Sequence, residues 1–171
     1  MPSRQIPPSA AALMESLRGT GYSVETALAD LIDNCIAAGA KQIDLLLDWN
    51  EGHPVAVITD DGAGMSEDDL VAAMRFGGLG PRTPRAASEL GRFGLGLKTA
   101  SLSQCRRLTV ASLRDGRSSV FCWDLDHVRT TGGAWELLEG PPDDLLSFTT
   151  LSADRNSGTI VIWDRIDFGR V

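Results

Sequence analysis

A chain of 171 residues, 43% apolar and 23% charged, has the length and composition for one domain with a sizeable core, and is too apolar to stay disordered. Its net charge of −7 excludes a surface that is basic throughout, as a general nucleic-acid binder would need. No apolar run approaches the roughly 20 residues of a membrane-spanning helix, and the polar, proline-rich start lacks the basic-then-apolar order of a signal peptide, so no membrane partner is expected.

In chain order, about the first 12 residues read as an arm, either flexible or exchanged with a neighbouring copy. Ser23 to Ala38 predicts an amphipathic helix. Val24, Ala27, Leu28, Leu31, Ile32 and Cys35 form one apolar stripe, Ser23 suits the N-cap, and Gly39 suits the stop. Asp30 and Asn34 share a face at i and i+4, away from the centre of the stripe, with Asp33 beside them. Two carboxylates and an amide oxygen there suit a hard cation such as Mg2+ and a base for water, although the wet face of any amphipathic helix looks the same.

Lys41 to Asp48 alternates as a strand through Ile43, Leu45 and Leu47. A second strand, Val55 to Thr59, runs into Asp60-Asp61-Gly62-Ala63-Gly64. Glycines there would let backbone approach a ligand, and a carboxylate at a strand end can accept a hydrogen bond from an adenine amino group; Asp-Gly is equally an ordinary surface turn. Ser66 caps a short predicted helix through Met74, whose first turn holds Glu67, Asp68 and Asp69.

Residues 76–91 have no periodicity and hold three glycines and two prolines before Gly91, so a mobile loop is expected. From Arg75 to Arg107 seven basic residues face one acid, Glu89, while the rest of the chain carries nine basic and 22 acidic residues. A basic, glycine-rich segment in an acidic chain suggests a local anion site. Within it, Gly91-Arg92-Phe93-Gly94-Leu95-Gly96-Leu97-Lys98-Thr99 leads into a helix through Leu102, and glycines before a helix expose amides that suit phosphate. It is neither a Walker A loop, because Leu97 stands between Gly96 and Lys98, nor a Rossmann fingerprint, because the spacing is GxxGxG.

Strands follow at Arg107 to Leu113, Ser119 to Leu125, Ala134 to Leu138 and Thr159 to Trp163, with a turn at Asp115-Gly116. This order predicts an α+β fold, a two-layer sandwich with a mixed, mostly antiparallel sheet and helices packed on one face. Cys35, Cys105 and Cys122 form no CxxC pair, and with two histidines in the chain a zinc site is not expected; a reduced, cytoplasmic setting is.

Taken in sequence, helix DxxDN, strand then DxGxG, basic loop, GxxGxG into a helix and a last strand opening Gly158-Thr159 resemble the GHKL (Bergerat-fold) ATPases. These include gyrase B, the heat-shock chaperone of the ninety-kilodalton class, histidine kinases and MutL. Ala29-Asp30-Leu31-Ile32-Asp33-Asn34, Arg75-Phe76-Gly77-Gly78 and Gly96-Leu97-Lys98 look most like MORC and MutL proteins. The resemblance implies ATP and ADP as ligands and Mg2+ as cofactor. It makes Asn34 the magnesium ligand, Asp60 the reader of the adenine amino group with Gly62, Gly64 and Met65 shaping its pocket, and Thr159 the support of that contact. Gly91, Gly94, Leu95 and Gly96 would face the phosphates, and Lys98 would add charge there or lie on the helix surface. Asp30 would be the catalytic base, and a lid of roughly residues 65–91 would close over ATP.

Two departures qualify this. The family's base is usually glutamate, one methylene longer than Asp30, and Ala37 stands where MutL- and gyrase-like members often have aspartate. Binding is therefore the firmer expectation, with slow hydrolysis driving a conformational switch. An ATP sensor without turnover, a histidine-kinase-type phosphotransfer domain and a bare interaction module are the alternatives. The resemblance also implies a nucleotide-dependent homodimer, and a downstream transducer or effector domain if the chain is a fragment of a longer protein. The acidic balance gives no independent support for nucleic-acid contact.

Overall fold

Ser23 sits in extended backbone and its Oγ accepts a hydrogen bond from the Thr26 amide at 3.3 Å, which starts α2 (Val24–Ala37) where the sequence places it. In the computed structural model, which describes residues 4, 8–19, 21–49, 52–77, 96–151 and 155–166, the same device starts two more helices. Ser9 caps α1 (Ala10–Arg18), and Ser66 caps α3 (Glu67–Met74), whose three first-turn acids lie at the positive end. Residues 10–12, read from sequence as arm, are the first turn of α1, and Ala10 and Met14 are fully buried. Two further helices are α4 (Gly96–Gln104) and α5 (Leu125–Thr130).

Six strands, β1 (Ile43–Asp48), β2 (Val55–Asp60), β3 (Cys105–Arg114), β4 (Arg117–Asp124), β5 (Leu138–Glu139) and β6 (Gly158–Ile166), form one sheet in the order β1-β2-β6-β3-β4-β5. Every pairing among them is antiparallel, so the α+β expectation holds with no parallel pair among the described residues. Register decides what each face buries. Ile58, Val161, Val110 and Phe121 are cross-strand neighbours, as are Ala56, Trp163, Leu108 and Trp123, and both rows pack with the helices in the main core. Each such valine, leucine, isoleucine or phenylalanine contributes about 1.5–3 kcal/mol on burial. Alternate residues Val57, Ile160, Ile162 and Ala111 face the other way and pack with Leu145 of a 3-10 helix, Asp143–Phe148.

The sequence reading differs at β4 and β5. Asp124, expected inside a strand, ends β4 and caps α5, accepting hydrogen bonds from the amides of Asp126 and His127 at 2.9 and 3.2 Å. Of the strand expected at Ala134–Leu138, only Leu138 is paired. Trp135 instead packs its ring 5.4 Å from Phe76, beside Trp123. α1, α5 and the 3-10 helix have no counterpart in the sequence reading.

The first part of the expected lid sends two side chains into the core. Leu70 and Met74 of α3 are fully buried, and the Trp123 indole N–H donates to the Met74 carbonyl at 2.8 Å. The rest, 78–91, lies outside the described residues.

Candidate functional site

Asp60 ends β2 on the face that carries Ala56 and Ile58, and the register puts it in one row with Thr159 of β6 and Ser112 of β3. Strand alternation therefore turns three polar side chains toward the helices at one end of the sheet. Opposite lies the C-terminal half of α2, which supplies Leu31, Asn34, Cys35 and Ala38, while α4 supplies Gly96, Leu97 and Lys98. Between them is a cavity of about 260 Å3, lined also by Gly64, Met65 and Ala73.

Asp60 is only 4% exposed, and its Oδ1 accepts a hydrogen bond from the Gly62 amide at 2.8 Å. Burial pushes its carboxyl above the usual range, opposed by the Gly62 amide and then by the Cys35 thiol that donates to it. Burial, and then the Asp60 charge, push the Cys35 thiol up to about 12, so it stays a protonated donor. Sequence reasoning placed Cys35 on the apolar stripe and missed this contact.

The DxGxG glycines have separate tasks. A Cβ on Gly62 would lie 2.9 Å from both the Ala38 Cβ and Asp60 Oδ1, so glycine lets the turn press against α2. Gly64 has φ +63° and a Cβ there would fall 2.0 Å from the Leu113 carbonyl oxygen. Asp61 serves the turn: its Oδ1 accepts hydrogen bonds from the amides of Lys41 and Gln42 at 2.7 and 2.9 Å, and these hold its carboxyl below the usual range. The Met65 amide donates to Ser112 Oγ at 2.8 Å, and that hydroxyl lies 3.2 Å from Thr159 Oγ1 and donates to the Gly158 carbonyl. Ser112 thus ties the turn to the last strand. Its only sequence signal is that it breaks the apolar alternation Leu108, Val110.

Lys98 is 1% exposed, which removes the helix-surface alternative. Its ammonium donates to the Ala73 carbonyl at the end of α3 and lies 5.8 Å from the centre of the Phe76 ring. Burial lowers its pKa to about 8. The other described bases of the basic segment do not join it. Arg106 pairs with Glu15 and Asp126, Arg107 with Asp144 and Asp164, and Arg75 lines a different pocket. The anion site expected from net charge is thus narrowed, among described residues, to Lys98.

Asn34, Asp60, Gly64, Met65, Gly96, Lys98 and Thr159 meet at one cavity; Asp30 and Gly62 do not line it, and Gly91, Gly94 and Leu95 lie outside the described residues. Asp30 sits one turn before Asn34, and its Oδ2 accepts a hydrogen bond from the Tyr22 hydroxyl at 3.0 Å, which raises the Tyr22 pKa. The Tyr22 carbonyl is in turn held by the Gln104 side chain at 3.0 Å. Among the described residues no three His, Cys, Asp or Glu side chains form a metal cluster. A single amide oxygen fits only an ion that takes its other ligands from phosphate and water, which is the habit of Mg2+. The described cysteines are all unpaired and buried, and no described helix is long and apolar enough to cross a membrane.

Residues 22–159 match the family model described as histidine kinase-, DNA gyrase B- and HSP90-like ATPase. The human protein named ATPase MORC2 is 38% identical over 79 residues, which is 44% of this chain and 8% of that protein. The Caenorhabditis elegans protein named ATPase morc-1 is 30% identical over 92 residues, 53% of this chain and 10% of that protein. The chain therefore corresponds to a small part of the length of these relatives.

Proposed function

Starting from a chain that belongs to the histidine kinase-, DNA gyrase B- and HSP90-like ATPase family, and so is an ATP-binding domain of ATPase type, we propose the following roles for its residues. Asp60 accepts the adenine amino group, held in place by Gly62 and Cys35, and Thr159 supports the contact from the neighbouring strand. The observation that carries this reading is a buried carboxylate lining a cavity whose walls also hold Asn34, Lys98 and Thr159. Gly64 and Met65 shape the base pocket, while Gly91, Gly94, Leu95 and Gly96 bring backbone amides to the phosphates at the start of α4.

Asn34 would supply the protein oxygen to Mg2+, which when bound neutralises phosphate charge. Lys98 places a second positive charge on that side of the cavity. Asp30 orients or deprotonates the attacking water, and closure of the lid, roughly residues 65–91, signals the nucleotide state to a second copy or an effector domain. The short reach of Asp30 and its bond to Tyr22 favour slow turnover, and they also favour the second reading, an ATP sensor that turns over little.

Phosphate release by Asp30 variants tests the catalytic part. Asp30→Asn should lower turnover at least about tenfold with ATP affinity unchanged. Equal turnover in the variant removes Asp30 as base, and a large rise in Asp30→Glu favours the sensor. The metal role fails if Asn34→Ala binds ATP with the same dependence on Mg2+ as the parent chain.

A further inference from the structure

Among the described residues the Asp30 carboxylate has one hydrogen-bond partner, the Tyr22 hydroxyl, which donates to Oδ2 at 3.0 Å. The contact joins the residue just before the Ser23 cap to the second turn of α2. Tyr22 is the fixed member of the pair. Its ring packs against the main core, and its carbonyl accepts a hydrogen bond at 3.0 Å from the side-chain amide of Gln104, the last residue of α4. Gln104 is buried, and the same amide donates to Ser103 Oγ at 2.9 Å. The helix whose first residues line the cavity thus fixes, with its last, the hydroxyl that holds Asp30.

The direction of the hold follows from the helix. Tyr22 precedes α2 and so reaches Asp30 from the N-terminal side, while Asn34 lies one turn, about 5.4 Å, towards the C-terminus. Asn34 lines the cavity and Asp30 does not. Aspartate has two side-chain torsions and the reach of one methylene. A carboxylate held towards the start of α2 is therefore turned away from the metal and phosphates that Asn34 would serve. Hydrogen bonds to ionised acceptors are among the strong ones, and both side chains here are half-buried, which limits competition from water. The same contact is the main cause that raises the Tyr22 pKa, ahead of burial.

We propose that Tyr22 is a restraining residue for Asp30: its hydroxyl holds the carboxylate short of the attacking water, and turnover requires that hydrogen bond to be released. The proposal deepens the reading of Asp30 as the base and rests on it. It makes the rate of hydrolysis depend on a contact outside the motifs as well as on the missing methylene. ATP affinity comes from the cavity, which neither Tyr22 nor Asp30 lines, so the restraint acts on rate and leaves binding alone.

Phosphate release and calorimetric ATP affinity are measured for the chain, Tyr22→Phe, Asp30→Ala and the double variant, each checked for fold by its urea midpoint. Phenylalanine keeps the ring in the core and removes only the hydroxyl. Tyr22→Phe should raise kcat at least about threefold with ATP affinity unchanged, and should not change the rate in the Asp30→Ala background. Tyr22 is the only tyrosine in the chain, so a carbon label on the tyrosine ring gives one NMR signal, which reads the contact whatever the stability of Tyr22→Phe. That signal should move in Asp30→Ala. A signal that stays in place overturns the proposal, as does an unchanged or lower kcat in Tyr22→Phe, or the same rise in the Asp30→Ala background. If Asp30→Ala is inactive while Tyr22→Phe equals the parent, the restraint fails and the base reading stands. If Asp30→Ala turns over like the parent, or if neither the ATP-binding parent nor Tyr22→Phe releases phosphate, both fail.

Discussion

Burial lowers the Lys98 pKa to about 8, and the sign of the consequence is fixed. Between pH 8 and a lysine's unfolded value of about 10.4, the unfolded chain keeps a proton that the folded chain releases, so the Lys98 contribution to stability rises with pH. Below pH 8 both states are protonated and the charge is a constant burden, relieved in part by the Ala73 carbonyl and the Phe76 ring. Urea midpoints of the nucleotide-free chain should include a component that rises between about pH 8 and 10 and is lost in Lys98→Met. A bound polyphosphate favours the charged form, so ATP affinity should fall across the same window. Gly64→Ala gives a second outcome at this scale: a left-handed φ and a Cβ 2.0 Å from a carbonyl should cost on the order of 3 kcal/mol of unfolding free energy by urea denaturation. That Asn34, Asp60, Gly64 and Thr159, which the motifs mark, line one cavity was legible in the sequence. Ser112 and Cys35 were not, because each acts through a partner distant in sequence that only strand register and helix docking bring near.

Among the elements, caps made the difference between what the sequence revealed and what it hid. α2 and α3 begin where a serine precedes a periodic run, and both boundaries could be read to within a residue. Asp124 looked like a strand residue because an apolar alternation leads into it, yet its side chain takes the first amides of α5 and turns the chain. α1 is short and follows prolines, and its meaning lies in contacts: its last residue, Arg18, donates to the carbonyls of Leu102 and Cys105, at the C-terminal end of α4. Since α2 carries both Asp30 and Asn34, weakening its start should reach the site. Ser23→Ala should cost about 1 kcal/mol in thermal or urea unfolding, and Ser23→Asp should recover it. An unchanged stability for the alanine variant would mean that tertiary contacts alone set this end of the helix.

At the level of the molecule, the last strand enters the sheet between β2 and β3, which brings Thr159 beside Asp60 and completes the cavity wall. Local patterning could not supply that order, since it depends on pairing strands about 100 residues apart, although the fold class itself followed from the succession of elements. Arg107 holds this arrangement on the other face, pairing with buried Asp164 of β6 and with Asp144 of the 3-10 helix. Arg107→Met should leave the Asp164 carboxylate buried without its partner and cost about 3–5 kcal/mol in chemical denaturation. The central claim, that the cavity is a nucleotide site read by Asp60, is tested most directly by calorimetric titration of the chain with ATP and Mg2+, beside Asp60→Asn of demonstrated fold. The account predicts saturable, magnesium-dependent binding that the variant loses. Binding unchanged in Asp60→Asn, or none by the folded parent chain, would contradict it.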